Sequence, residues 1–212
     1  MAELVSLEAS AVGHAPAQLS LVEAATVPVG GLTASQALDQ LDVQSGEAVL
    51  VVAAGGNVGS FAVQLAHARG ATVIAQAGAD DADRLKELGA AAVVDRHQDW
   101  VGQVREAADG GVDAMLDPLG ADVLSAALPL VRSGGRVVTL APREADPNDP
   151  SGVTITPLFV HPDGAGLSAL AAAVDAGGLR TQLGQTFTID EAAEAHRAYE
   201  QGASGKVVVT VS

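Results

Sequence analysis

The chain has 212 residues, a formal net charge of −15, no cysteine and five aromatic side chains (three Phe, one Tyr, one Trp). At 48% hydrophobic residues it has ample material for a buried core, and its length suits one large domain or one domain with a smaller companion. The missing cysteines exclude disulfides, thiol catalysis, iron–sulfur clusters and cysteine-ligated zinc. The acidic balance speaks against nucleic acid and anionic membrane surfaces, which need Lys/Arg stripes.

Met1-Ala2-Glu3-Leu4 offers no basic, then apolar, leader. No stretch reaches the roughly 18 apolar residues of a spanning helix. The expectation is a cytoplasmic protein with neither a nucleic-acid nor a membrane partner. With so few rings, the core must be built from Ala, Val and Leu.

In chain order, residues 3–7 read as a strand. Ser20-x-x-Glu23 reads as a capping box opening a helix over 21–27. Pro28 should break that helix, and a second follows at 33–41. Apolar β-branched runs then alternate with Ala-rich helical stretches. Strands are expected at 48–54, 72–76, 91–94, 114–116 and 136–141, with helices at 58–69, 81–88, 100–108 and 122–131. The strand runs are nearly continuous in apolar residues, as in parallel strands buried on both faces.

Gly70, Gly89 and Gly110-Gly111 fall where helices hand over to strands. Residues 142–152 (PREADPNDPSG) read as a surface loop. A sixth strand at 153–160, a helix at 166–176, a strand at 185–188, a helix at 190–201 capped by Thr188 and Glu191, and a strand at 206–211 complete the chain. The reading is an α/β fold with a doubly wound, six-stranded parallel sheet. Residues 43–178 are expected to form the sheet domain, between a leading segment (1–42) and a C-terminal strand–helix–strand (179–212).

The most informative stretch is Val49-Leu50-Val51-Val52-Ala53-Ala54-Gly55-Gly56-Asn57-Val58-Gly59. A buried strand runs into a glycine-rich turn and then a helix, the context a dinucleotide fingerprint requires. Small residues let backbone approach a pyrophosphate, Asn57 and Val58 lie at the helix N-terminus with its positive dipole end, and Gly59 permits close helix–strand packing. Ala54 stands where the common pattern has its first glycine. About 20 residues beyond Gly56, where NAD sites carry a ribose-binding acid, stand Gln76-Ala77-Gly78, with no carboxylate. That leaves room for a 2′-phosphate. The next charges, Asp80, Asp81 and Asp83, repel one, and Arg84 and Arg96 are the cations available to compensate.

Seven segments in order resemble the medium-chain dehydrogenase/reductase superfamily, in its zinc-independent, quinone-oxidoreductase-like branch. They are 24–34 (AATVPVGGLTA), 53–66 (AAGGNVGSFAVQLA), 88–95 (LGAAAVVD), 133–138 (SGGRVV), 159–164 (FVHPDG), 191–196 (EAAEAH) and 205–208 (GKVV). The resemblance implies a Rossmann domain with an Ala-x-x-Gly-x-x-Gly turn, matched by Ala53, Gly56 and Gly59. It implies a nicotinamide pocket beside Gly31-Leu32-Thr33, lined by Leu140-Ala141 and Phe159-Val160. The implied NADP or NAD contacts are Thr33, Ala53, Gly56, Asn57, Val58, Gly59, Ala77, Arg96, Leu140, Phe159 and Val160, with no metal. The family's 2′-phosphate positions fall on Asp81 and Arg96. The family's GroES-like catalytic domain has no counterpart here, so residues 3–7, 185–188 and 206–211 look like that domain's edge, and no catalytic residue is named. The family habit of pairing the sixth strand, here 154–160, implies a homodimer.

The remaining chemistry is sparse. No His pair has metal-site spacing, and there is no Gly-x-Ser-x-Gly elbow. His67 and His196 read as surface residues, and His161 as a candidate for proton transfer. Asp95, Asp113 and Asp117 read as strand-end acids that cap helices or face solvent. Two functions stay open: a nicotinamide-dependent oxidoreductase for a small carbonyl, enone or quinone, and a repurposed non-redox scaffold, either a cyclase or isomerase or a noncatalytic dimerising subunit.

Overall fold

The structure is a computed structural model that describes residues 4–141 and 152–211. The elements run α1 (Leu21–Ala24), α2 (Val27–Gln40), β1 (Ala48–Val51), α3 (Asn57–Ala68), β2 (Thr72–Ala77), α4 (Ala82–Glu87), β3 (Ala90–Asp95), α5 (Trp100–Ala107), β4 (Val112–Asp117), α6 (Ala121–Ala127), β5 (Val131–Thr139) and β6 (Thr154–Pro157). They continue with α7 (Gly164–Asp175), β7 (Leu183–Thr188), α8 (Ala192–Glu200) and β8 (Lys206–Thr210). Two compact units are formed, one by Thr33–Val160 and the other by the described parts of Met1–Leu32 and His161–Ser212.

The Thr33–Val160 unit holds six parallel strands in the order β3-β2-β1-β4-β5-β6. This is the doubly wound arrangement, whose chain direction switches between β1 and β4. The central strands are buried almost residue for residue, including all of Val49–Val51 and Val73–Ala77. That explains their unbroken apolar sequence. On one side, Leu50, Val52, Ile74, Met115 and Val137 form a core with Val104, Leu124 and Leu130, against which Trp100 packs. Phe61 is the largest fully buried side chain, and Ala, Val and Leu supply most of the rest.

The smaller unit contains α7 and a two-stranded parallel sheet of β7 and β8, against which α8 packs. Both expected caps form. Ser20 donates from its N–H and hydroxyl to Glu23 (2.9 and 2.7 Å) and accepts the Glu23 N–H. Thr188 does the same for Glu191 through its N–H and hydroxyl (2.9 Å each). These donors hold both carboxyl groups below their ordinary range.

Four expectations are corrected. Residues 4–7 form no strand; Leu4, Val5 and Leu7 are exposed and no described strand pairs with them. A strand needs a neighbour for its N–H and C=O groups. Pro28 does not end a helix but sits in the first turn of α2, where the missing N–H has no intrahelical acceptor to lose. β1 ends at Val51 rather than 54, because the chain turns at Ala53 with φ +50. The helix expected over 122–131 stops at Ala127. A 3-10 turn with Pro129 follows, and β5 begins at Val131. The expected loop at 142–152 lies outside the described residues except for Gly152.

The joint between β1 and α3 leaves no room for a side chain at Gly59. A Cβ on Gly59 would lie 2.5 Å from both the Ala53 carbonyl oxygen and the Ala54 Cα. These are backbone atoms with no freedom to yield. Gly59→Ala is therefore expected to cost about 3 kcal/mol in urea unfolding. Gly110→Ala, at φ +77 with open space around it, should cost only about 1 kcal/mol. Equal costs at the two positions would show that the backbone contact at Gly59 does not matter.

Candidate functional site

Four chain segments leave the C-terminal edge of the sheet side by side. The Val52 N–H donates to the Leu116 carbonyl (3.0 Å), Leu140 N–H to Asp117 (2.9 Å) and Leu158 N–H to Thr139 (2.9 Å). This ladder places the glycine turn, the 117–120 loop, Leu140-Ala141 and Phe159-Val160 along one rim. Open α/β sheets bind their ligands at such a rim, beside the switch point.

The turn is fastened from several sides. Ala54 N–H donates to the Gln76 carbonyl (2.8 Å), and Ala53 N–H to the Gln76 side-chain Oε1 (3.0 Å). Gln76 is itself buried. Ser60 Oγ donates to the Ala54 carbonyl (3.2 Å). Gly56 is the N-cap of α3, in an extended conformation with no side chain to satisfy the first-turn N–H groups. Val58 and Gly59 follow in that first turn, where helix geometry directs N–H groups outward from the helix end. The result is a helix N-terminus at the rim with its positive dipole end toward the turn, suited to an anion.

Asp81 and Arg84 meet at this turn. Arg84 donates to Asp81 Oδ1 (2.6 Å), to Ser60 Oγ (2.9 Å) and to the Gly55 carbonyl (3.1 Å). Both charged side chains are 28% exposed. The Asp81 carboxylate lies directly against Gly55, where any Cβ would collide with Oδ2. Arg96 stands apart from that pair. Its N–H donates to the Ala77 carbonyl (2.8 Å), its guanidinium lies beside Gly78, and its Nε donates to His97 Nε2 (3.1 Å).

The other expected contacts are placed as follows. Thr33 is buried in α2, Ala77 is buried at the end of β2, and Leu140 is half-buried. Phe159 and Val160 are exposed. His67, His161 and His196 are exposed. Among the described residues, no cluster of three or more His, Asp or Glu side chains could hold a metal ion, and no helix is long and apolar enough to cross a membrane.

The three strand-end acids have structural work. Asp95 accepts the His97 N–H and the Gln98 side chain (3.0 Å each). Asp113, at the opposite edge of the sheet, accepts the Ala48 N–H and pairs with Arg132. Asp117 is the residue whose importance the sequence hid. It is fully buried and accepts N–H groups from Leu119 and Gly120 and the Thr139 hydroxyl, all at 3.0 Å. Thr139 Oγ1 in turn accepts the Ala141 N–H (3.2 Å). One carboxylate thus fixes the loops after both β4 and β5. Its only sequence signal is an acid at a strand end before Pro-x-Gly. Asp117→Ala would leave these buried donors without an acceptor and should cost about 3 kcal/mol by denaturant unfolding. A change under about 1 kcal/mol would contradict the clamp.

The zinc-binding dehydrogenase family profile matches residues 88–209. The mouse mitochondrial NAD(P)H oxidoreductase RTN4IP1 is 31% identical, over 100% of this chain and 61% of its own length. Human quinone oxidoreductase is 28% identical, over 92% of this chain and 64% of its own length. Among solved structures, an NAD-dependent alcohol dehydrogenase superposes with a TM-score of 0.84 at 34% identity, over 93% of this chain and 61% of that one. The chain therefore spans less than two thirds of these relatives. By profile, identity and fold, it belongs to the medium-chain dehydrogenase/reductase superfamily, in the quinone-oxidoreductase-like branch.

Proposed function

We propose that this chain is the nicotinamide-nucleotide-binding part of a cytoplasmic NAD(P)H-dependent oxidoreductase acting on a small carbonyl, enone or quinone. The observation that carries the reading is the N-terminus of α3, left without a side-chain cap by Gly56 and drawn against the turn after β1 by Gly59. The residues present fit a dinucleotide: the first turn of α3 offers N–H groups where a pyrophosphate needs them, and small residues leave its approach clear. The names of the mouse and human relatives, an NAD(P)H oxidoreductase and a quinone oxidoreductase, support the reaction class.

A bound nicotinamide nucleotide supplies the hydride chemistry. The chain's part is to orient and shield. Asn57 and Val58 N–H groups hold the pyrophosphate. Leu140, fixed through Asp117 and Thr139, walls the nicotinamide side of the rim. Phe159 and Val160 present apolar surface to the nicotinamide or the substrate. Among the described residues β6 pairs with β5 along one edge, and its other edge is proposed to pair with a second copy, as the family resemblance implies.

Titration of purified protein with NADH and NADPH, followed by nucleotide fluorescence, should show saturable binding at micromolar concentrations. Turnover of an enone or quinone should consume the reduced nucleotide. Binding of neither nucleotide would overturn the reading. Sedimentation should give about twice the 21.1 kDa chain mass; a monomer at all concentrations would remove the proposed edge pairing.

A further inference from the structure

We infer that Asp81 makes this site selective for the non-phosphorylated dinucleotide, NAD(H), over NADP(H); the inference rests on the nucleotide-binding reading above. In dinucleotide sites the adenosine ribose lies beside the end of the second strand, where an acid accepts its 2′-OH or an arginine receives a 2′-phosphate. Here the residue at that strand end, Gln76, is turned inward and bound to the Ala53 N–H (3.0 Å). Its amide is committed to holding the turn and is not presented to a ligand.

The carboxylate comes instead from Asp81, in the 3-10 turn just past β2. It lies against Gly55, and the absence of a side chain there makes room for it. Its position is set by Arg84, which binds Oδ1 and is itself fixed to Ser60 Oγ and the Gly55 carbonyl. Two consequences follow. Oδ2, packed beside Gly55, is the carboxylate oxygen assigned to a 2′-OH in this proposal. Arg84 has its donors committed to Asp81, Ser60 Oγ and the Gly55 carbonyl, so they are not presented to a phosphate.

A 2′-phosphate would bring its negative charge close to Asp81, in a half-buried site where Coulomb repulsion is weakly screened. Asp80 and Asp83, both exposed on the same segment, add to the unfavourable field. Arg96, beside Gly78 and bonded to His97, is the remaining cation at the end of β2, and one exposed guanidinium does not outweigh the fixed carboxylate. The relevant recognition is that of a ribose diol by a carboxylate acceptor.

The experiment compares NADH and NADPH affinities by fluorescence titration on the unaltered chain and on Asp81→Asn, with thermal melts to confirm that the variant is folded. The unaltered chain should bind NADH about tenfold or more tightly than NADPH. Asp81→Asn, which removes the charge and frees Arg84, should narrow or invert that ratio by about tenfold, chiefly through tighter NADPH binding. Competition against NADH by ADP-ribose and by its 2′-phosphorylated form gives the same contrast with no substitution; ADP-ribose should compete and the phosphorylated form should not. NADPH binding as tightly as NADH to the unaltered chain, or a ratio unmoved in folded Asp81→Asn, overturns the inference while leaving the nucleotide-binding reading intact. Binding of neither nucleotide overturns both.

Discussion

At Gly59 the backbone of α3 meets the backbone of the turn that follows β1, with no room for one additional carbon atom. Most of the site's geometry follows from that contact. The strand must stop short and turn sharply, so Ala53 adopts a left-handed conformation that non-glycine residues seldom take. The strained turn is then tied down from β2 by Gln76, and from α3 and α4 by Ser60 and Arg84. A helix drawn this close to a buried parallel sheet carries its first-turn N–H groups to the rim of that sheet. The anion-binding capacity is therefore a by-product of a packing constraint, and a side chain at position 59 would remove both together.

Across the switch point the chain solves the same problem with opposite chemistry. There the loops after β4 and β5 must be held together, and the donors that need an acceptor are backbone N–H groups and one hydroxyl. A carboxylate can accept several hydrogen bonds at once. Burying Asp117 completely is tolerable only because those donors converge on it. The approach is close enough that any side chain on Gly120, which sits at φ +70, would strike the Ala141 side chain. An amide and a guanidinium brace one side of the rim and an acid braces the other.

Much of this was legible in the sequence, and for a common reason. Strands buried on both faces have no polar alternation to blur them, so β1, β2 and β4 stand out as apolar runs between helices. Gly59 could be read because its spacing from the turn is set by local geometry. What the sequence hid depends on partners distant in the chain or on the choice between two uses of one residue. Asp117 looked like any strand-end acid, since Thr139 becomes its partner only when β4 and β5 pair. Asp81 and Arg84 read as a repulsive charge and a compensating one facing a ligand. In the structure they face each other first. Residues 4–7, read as part of a strand, have no described strand beside them, and Pro28 sits in the first turn of a helix where a break was expected.

The pairing of Asp81 with Arg84 also bears on how so acidic a chain could hold a diphosphate. With a net charge of −15, long-range attraction is unavailable, and Arg84 has its donors committed to Asp81, Ser60 Oγ and the Gly55 carbonyl. What remains is the fixed array of N–H dipoles at the start of α3, whose field acts within the first turn and fades beyond it. Such a field depends on geometry, because a shift of the helix away from the rim weakens every N–H contact at once. A mobile lysine or arginine could follow a displaced phosphate, but a helix end cannot. Gly59 thus governs more than packing: in a chain whose overall charge repels its proposed ligand, close approach of backbone to backbone provides the attraction.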